Sequence, residues 1–322
     1  MRQLAAKYGI YPRRSLGQHF LFDGNIIRRI VREAEVGPEN VVLEIGPGLG
    51  SMTQALAAKA KKVIAVELDR RLIPALQEAL CNFDNVKVIQ GDALKLDLES
   101  LVRAHGTRPG LAVGLEAGGR QEEVKPQGEP EPKAEAGSKD YKVVANLPYY
   151  ITTPLVIRLL ERCPGAELLV LMVQEEVAER LVAAPGTPDY GALSVAVQFY
   201  SQPELLFRVR PTVFWPRPEV GSAVVRLSIK PRLELEVSER ELFFRVVQAA
   251  FGRRRKTLAN ALEGLRLEAR GHAALTKEQV LEFLARAEVD AERRGETLSL
   301  DEFARLAQVI SRESQKQLND RG

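Results

Sequence analysis

Over roughly the first two thirds of the chain, short β-branched apolar runs alternate with segments whose apolar positions recur every three to four residues. The runs are Val41–Ile45, Val63–Glu67, Val86–Gln90, Lys142–Ala145, Leu168–Val173, Glu204–Val209 and Ala223–Ile229. Between them, Met52–Lys59, Arg70–Leu80, Pro154–Glu161 and Glu175–Ala183 have helical spacing. This alternation predicts an α/β fold, a parallel sheet covered by helices on both faces, and seven strands fit one domain. After about Leu235 the β-runs stop and helical segments follow, two of them with capping-box starts at Thr276…Gln279 and Ser299…Glu302. The expected organisation is an α/β domain over residues 1–235 and a small all-helical domain over 236–322. Near the N-terminus, Ile26, Ile27, Ile30, Val31 and Ala34 make one apolar helical face, with Arg28, Arg29 and Arg32 off it.

One stretch breaks the pattern. Residues 104–140 hold seven Gly and four Pro and almost no large apolar residues after Leu115. Such a composition cannot bury enough apolar area to offset ordering the chain, so a disordered surface insertion is expected there. It carries five Lys or Arg against seven Asp or Glu, so setting it aside raises the net charge from +3 to +5. Charge this small does not announce a nucleic-acid partner; only its placement can. No apolar stretch approaches the roughly 20 residues of a membrane span, and Met1 to Pro12 contains no apolar signal core. Two cysteines and three scattered histidines exclude the usual zinc patterns. A cytoplasmic protein without a metal centre is expected.

The first strand runs into Glu44-Ile45-Gly46-Pro47-Gly48-Leu49-Gly50, a glycine-rich turn at the carboxyl edge of a parallel sheet. The spacing departs from the dinucleotide fingerprint, and Glu44 just before it would repel a pyrophosphate. It suits a ligand carrying an ammonium and a sulfonium, which points to S-adenosyl-L-methionine. Three further polar residues end successive strands. Glu67 can accept from both ribose hydroxyls, Asp92 from an adenine amino group, and Asn146 ends the fourth run.

That fourth run continues as Asn146-Leu147-Pro148-Tyr149-Tyr150. The turn resembles that of S-adenosylmethionine enzymes that methylate exocyclic or amide nitrogens. An amino lone pair delocalised into an adenine ring needs acceptors that hold its N–H groups and favour the nucleophilic geometry. The Asn146 oxygen and a turn carbonyl can supply them, and Tyr149 offers a face for stacking. Stacking contributes roughly 1 to 3 kcal/mol per base, which offsets part of the cost of extruding it.

With these pieces, and with Leu16-Gly17-Gln18-His19-Phe20-Leu21, Gly91-Asp92-Ala93, residues 171–181, residues 214–224 and Phe251 to Leu262, the chain resembles the small-subunit ribosomal RNA adenine N6,N6-dimethyltransferases. The resemblance covers essentially the whole chain except the insertion. It implies a Rossmann-like class I S-adenosylmethionine-dependent methyltransferase that modifies two adjacent adenines in the 3′-terminal hairpin of 16S rRNA within an immature small subunit, working as a monomer. It further implies that His19, Leu21, Gly46, Gly48, Glu67, Asp92 and Asn146 contact the methyl donor. Asn146, the Leu147 backbone and Tyr149 would then hold the target adenine, with Phe214 stacked on its other face. The family usually has Asp where this chain has Gly221, a change expected to weaken a local turn more than catalysis.

Positive charge gathers in two places. The N-terminal arm carries Arg2, Lys7, Arg13, Arg14, Arg28, Arg29 and Arg32, and Arg253-Arg254-Arg255-Lys256 follows Phe251-Gly252. Arg13, Arg14, Arg253, Arg254, Arg255 and Lys256 are the expected phosphate contacts. Trp215 and Tyr150 are expected in the core. Two alternatives stay open: a 23S rRNA adenine N6-methyltransferase of the macrolide-resistance type, and a non-catalytic RNA-binding assembly factor on the same fold.

Overall fold

The computed structural model describes residues 2–13, 16–106, 140–230, 237–253, 255–266 and 274–319. Its elements in chain order are α1 (Arg2–Lys7), β1 (Phe20–Leu21), α2 (Gly24–Glu33), β2 (Val41–Ile45), α3 (Ser51–Ala57), β3 (Lys62–Glu67), α4 (Ile73–Ala79), β4 (Val86–Gln90), α5 (Leu98–Gly106), β5 (Tyr141–Asn146), α6 (Thr152–Arg162), β6 (Ala166–Gln174) and α7 (Glu175–Val182). They continue as α8 (Ala192–Tyr200), β7 (Ser201–Val209), β8 (Phe214–Trp215), β9 (Ser222–Ile229), α9 (Val237–Gly252), α10 (Leu258–Leu262), α11 (Lys277–Arg286) and α12 (Leu300–Asn319).

A seven-stranded sheet in the order β4-β3-β2-β5-β6-β9-β7 forms the centre, with β9 running antiparallel between β6 and β7. This is a mostly parallel sheet of the kind the resemblance implies, and all seven runs read from the sequence are in it. Side chains alternate between two cores, as the two-residue period of a strand requires. Leu43, Ile45, Val143, Ala145, Leu169 and Leu171 face one core, while Val42, Val144, Val170 and Met172 face the other, against Ile27, Ile30, Val31 and Leu56. The N-terminal apolar face is α2, whose start is capped by the Asp23 carboxylate accepting from the Asn25 and Ile26 N–H groups.

Besides the short α1, two helices escape the sequence reading. The segment Ala192–Tyr200 is apolar on nearly every side because α8 is buried between α6 and α7 on one flank and α9 on the other. Its Phe199 ring meets Phe243 at 4.9 Å and Phe244 at 5.1 Å, so the core of the sheet continues into the C-terminal helices. The second is α5, and it corrects the start of the expected insertion. Residues Ala104, His105 and Gly106 complete this helix, which buries Leu98 and Val102, and a Cβ on Gly106 would lie 3.0 Å from Val41. At the far end, the Asp140 N–H already donates to the Gly165 carbonyl. The rest of the insertion, residues 107–139, lies outside the described residues, as does the expected boundary at Leu235. Both expected capping boxes form, Thr276 with Gln279 and Ser299 with Glu302. No helix among the described residues is long and apolar enough to cross a membrane.

The strand order reverses between β2 and β5, whose carboxyl ends open a crevice, the usual ligand position in such sheets. The glycine turn follows one of these strands and the Asn-Leu-Pro-Tyr turn the other.

Candidate active site

The crevice is a cleft of about 830 Å³ counted out to its open mouth. Its walls bring together Gln18, His19, Leu21, Glu44, Gly46, Gly48, Glu67, Asn146, Leu147 and Tyr149. Gly46 and Gly48 have φ of 72° and 58°, a backbone only glycine adopts without strain, and a Cβ on Gly48 would lie 2.9 Å from the Phe20 ring.

Electrostatics mark this side of the cleft. Glu44 is fully buried, and both of its carboxylate oxygens lack a hydrogen-bond partner. The Thr53 hydroxyl alongside opposes the effect of burial but stays outside hydrogen-bonding geometry, so burial, reinforced by the charge of Glu67, pushes the Glu44 carboxyl up to about 8. Glu67 accepts from the Gly48 N–H at 3.1 Å and the Asp69 N–H at 2.8 Å, yet its burial still raises it to about 7. Unpartnered acceptors inside a glycine cradle fit a ligand that brings its own cations and hydroxyls, which matches S-adenosylmethionine. Glu44, Gly46, Gly48 and Glu67 are the residues that would hold it.

Asp92 stands apart from these walls. Its carboxylate accepts from the Leu94 N–H at 2.9 Å and lies 3.9 Å from the Lys95 ammonium. Its charge is felt by Tyr150, which lines the cleft and is 52% exposed rather than in the core. This corrects the expectation for Tyr150. The Tyr149–Ile151 segment is a 3-10 turn, and the turn carries the second ring outward. Trp215 is half-buried against Phe20, at a ring separation of 6.1 Å.

On the opposite side, the Asn146 amide N–H donates to the His19 carbonyl at 3.1 Å. That bond fixes which end of the amide is which and leaves the oxygen as the acceptor free to meet a ligand. The Pro148 carbonyl is taken by the Ile151 N–H and the Thr152 hydroxyl, which leaves the neighbouring Leu147 carbonyl as a candidate acceptor in the turn. The Tyr149 ring stacks with His19 at 5.5 Å, and its hydroxyl pairs with the Ser222 hydroxyl at 2.9 Å.

Phe214 is not brought to this cleft. Its pairing with Leu21 in the small β1–β8 ribbon turns it inward, where it is 3% exposed among Ile27, Phe207 and Val209. The expected second stacking face is therefore part of the core in this structure.

Sequence reasoning missed three supports. Gln18 donates to Asp69 at 2.9 Å and accepts from the Arg13 N–H, tying the N-terminal arm to the end of β3. The Arg71 guanidinium on Asp69 holds that carboxyl down at about 2. Ser222 is the third. Gln18 lies within a motif already singled out and Asp69 two positions after Glu67, but their pairing across 51 positions leaves no local signal.

Of the basic residues, Arg13, Arg253, Arg255 and Lys256 are exposed, and Arg14 and Arg254 lie outside the described residues. Lys7 is engaged with Glu78 and Arg29 sits over the Phe207 ring at 3.8 Å, so the arm's positives are partly spent within the protein. Beside Gly221 the Glu175 N–H donates to the Gly221 carbonyl, keeping the turn, and a Cβ there would meet the Glu175 carboxylate at 2.7 Å.

The ribosomal RNA adenine dimethylase model matches residues 11–306. Two curated proteins named ribosomal RNA small subunit methyltransferase A are similar over 95% of the chain. The one from Pelotomaculum thermopropionicum is 48% identical and covered over 94% of its length, and that from Moorella thermoacetica is 47% identical and covered over 95%. Among solved structures, a dimethyladenosine transferase from Plasmodium falciparum superposes with a TM-score of 0.69 at 25% identity, covering 92% of this chain and 98% of its own. The 23S rRNA methyltransferase ErmE gives 0.59 at 26%, covering 91% and 99%.

Proposed function

As the chain belongs to the ribosomal RNA adenine dimethylase family and is a methyltransferase that uses S-adenosylmethionine, we propose that it methylates N6 of two adjacent adenines in the 3′-terminal hairpin of 16S rRNA. Its substrate is the immature small subunit, and it acts there as a cytoplasmic monomer, leaving each adenine dimethylated. The observation that carries the mechanism is the Asn146 amide at the cleft wall, whose N–H is taken by the His19 carbonyl so that its oxygen is the end left to accept.

The bound donor supplies an electrophilic methyl on a sulfonium. The protein's own residues do the rest by placement. Glu67 accepts from ribose hydroxyls in addition to its two backbone N–H groups, and the Glu44 carboxylate, orphaned at the base of the turn, complements positive charge. Asp92, outside the enclosed wall, suits the adenine rim of the same ligand. His19 and Leu21 close the cleft from the arm. The Asn146 oxygen and the Leu147 carbonyl accept the two N–H groups of the target amine, drawing its lone pair out of the ring toward the methyl. Tyr149 supports the base by stacking, and no strong general base is needed because the amine becomes acidic as it attacks. Arg13, Arg14, Arg253, Arg254, Arg255 and Lys256 neutralise phosphates and make binding salt-dependent.

Incubation with donor and undermethylated small subunits tests this, with primer extension across both rRNAs. Stops at the two hairpin adenines of 16S rRNA are expected. Stops confined to one adenine of 23S rRNA would replace this reading with the macrolide-resistance type, and absence of labelled donor binding would favour a non-catalytic assembly factor.

A further inference from the structure

Residues 214–222 reach the reaction centre by a route other than Phe214. Ser222, the first residue of β9 and 1% exposed, shares a hydrogen bond of 2.9 Å with the Tyr149 hydroxyl. It is held rigidly, since its backbone is paired with Gln174 of β6 on one side and Val209 of β7 on the other. From the same segment, the Pro216 carbonyl accepts from His19 Nδ1–H at 2.8 Å, and the His19 ring lies against Tyr149 with 29° between the planes. A tyrosine ring turns about a broad, nearly two-fold torsion. The stacked His19 ring bears on that torsion, while the hydroxyl lies on its axis, so the bond to Ser222 fixes where the far end of this half-buried ring sits at the cleft wall.

We infer that Ser222 is a positioning residue whose hydroxyl holds the tip of the Tyr149 ring, so that a base stacked there presents its amine to the Asn146 oxygen. This rests on the assignment of Tyr149 to the target base proposed above. It also gives the 214–222 segment a function that its buried Phe214 does not supply in this structure: the segment acts on the base through Tyr149 and His19.

A double-mutant cycle on the full chain separates this from a merely structural hydroxyl pair. Single-turnover methylation of undermethylated small subunits, at saturating donor, is compared for Ser222→Ala, Tyr149→Phe and the double variant, with donor binding measured alongside. Each single change is expected to slow transfer about fivefold, the size of one net hydrogen bond, at unchanged donor affinity, with the double variant no slower than either. Losses that multiply in the double variant, or a wild-type rate in Tyr149→Phe, overturn the inference. The second outcome is available even if Ser222→Ala does not fold, because Tyr149→Phe keeps the ring. A wild-type protein that leaves the small-subunit adenines unmodified sinks the proposed function itself, whereas multiplying losses in an active protein overturn this inference alone.

Discussion

On the glycine side of the cleft, the Glu44 carboxylate is buried with neither oxygen satisfied, and Glu67 is raised by burial despite two backbone N–H donors. On the Asn-Leu-Pro-Tyr side the polar side chains are braced: Asn146 on the His19 carbonyl, Tyr149 on Ser222, Thr152 on the Pro148 carbonyl. The first wall carries an electrostatic cost that a cationic ligand relieves. The second carries little such cost and holds a shape. Affinity for the donor should therefore depend on charge and pH, and rate on geometry.

The largest effect expected from this contrast is at Asn146. Asn146→Ala removes the pinned acceptor and should cut transfer by about 10² to 10³, as loss of one preorganised polar group at a reaction centre does. RNA binding, measured by filter retention, should stay near wild type. Turnover close to wild type in that variant would show that the shape of this wall is not what drives the reaction.

Glu44→Gln probes the other wall. Donor binding, followed by calorimetry, should weaken by about tenfold or more at pH 8, the scale of a lost charge pairing in a buried site. The sign of the stability change is opposite. An unfolded Glu ionises near its ordinary value, while the folded Glu44 keeps its proton until about pH 8, so this group makes the folded protein progressively less stable across that window. The Gln variant lacks this loss, so its melting temperature relative to wild type should rise between pH 5 and pH 8. Wild-type donor affinity should increase with pH over the same range. A flat difference in melting temperature would mean that Glu44 is already ionised in the free protein.

The smallest effect is at Gly221, outside both walls. Gly221→Asp brings in the residue expected from the family resemblance, yet here the new side chain meets the Glu175 carboxylate, itself paired with Arg208. A loss of about 1 kcal/mol is expected by denaturant titration, with catalysis near normal. Glu175→Gln in the same background should recover it. Stabilisation by Gly221→Asp alone would show that Glu175 yields the space.

How much of this was legible beforehand follows the same divide. The strand-end carboxylates and the glycine turn stand out because each lies in a short stretch where strand, turn and helix signals agree. Helix α8 was hidden because a helix buried on nearly every side has no polar face to set its period. Helix α5 was hidden because its last residues run straight into a low-complexity stretch, and what anchors it is Leu98 and Val102 packed beneath the sheet.

The sequence by itself determined the strand set, the strand-end position of the two motifs and the chemistry the cleft offers, because these depend on periodicity and on residue types adjacent in the chain. The roles of Phe214 and Tyr150 were decided only in three dimensions. Register in the β1–β8 ribbon turned Phe214 inward, and a 3-10 turn carried Tyr150 out. Likewise the pairing of Gln18 with Asp69, and of Tyr149 with Ser222 across 73 positions, exists only once the sheet closes. A hydrogen bond between distant residues is specified by where strands end relative to one another, and no local pattern of amino acids encodes that distance.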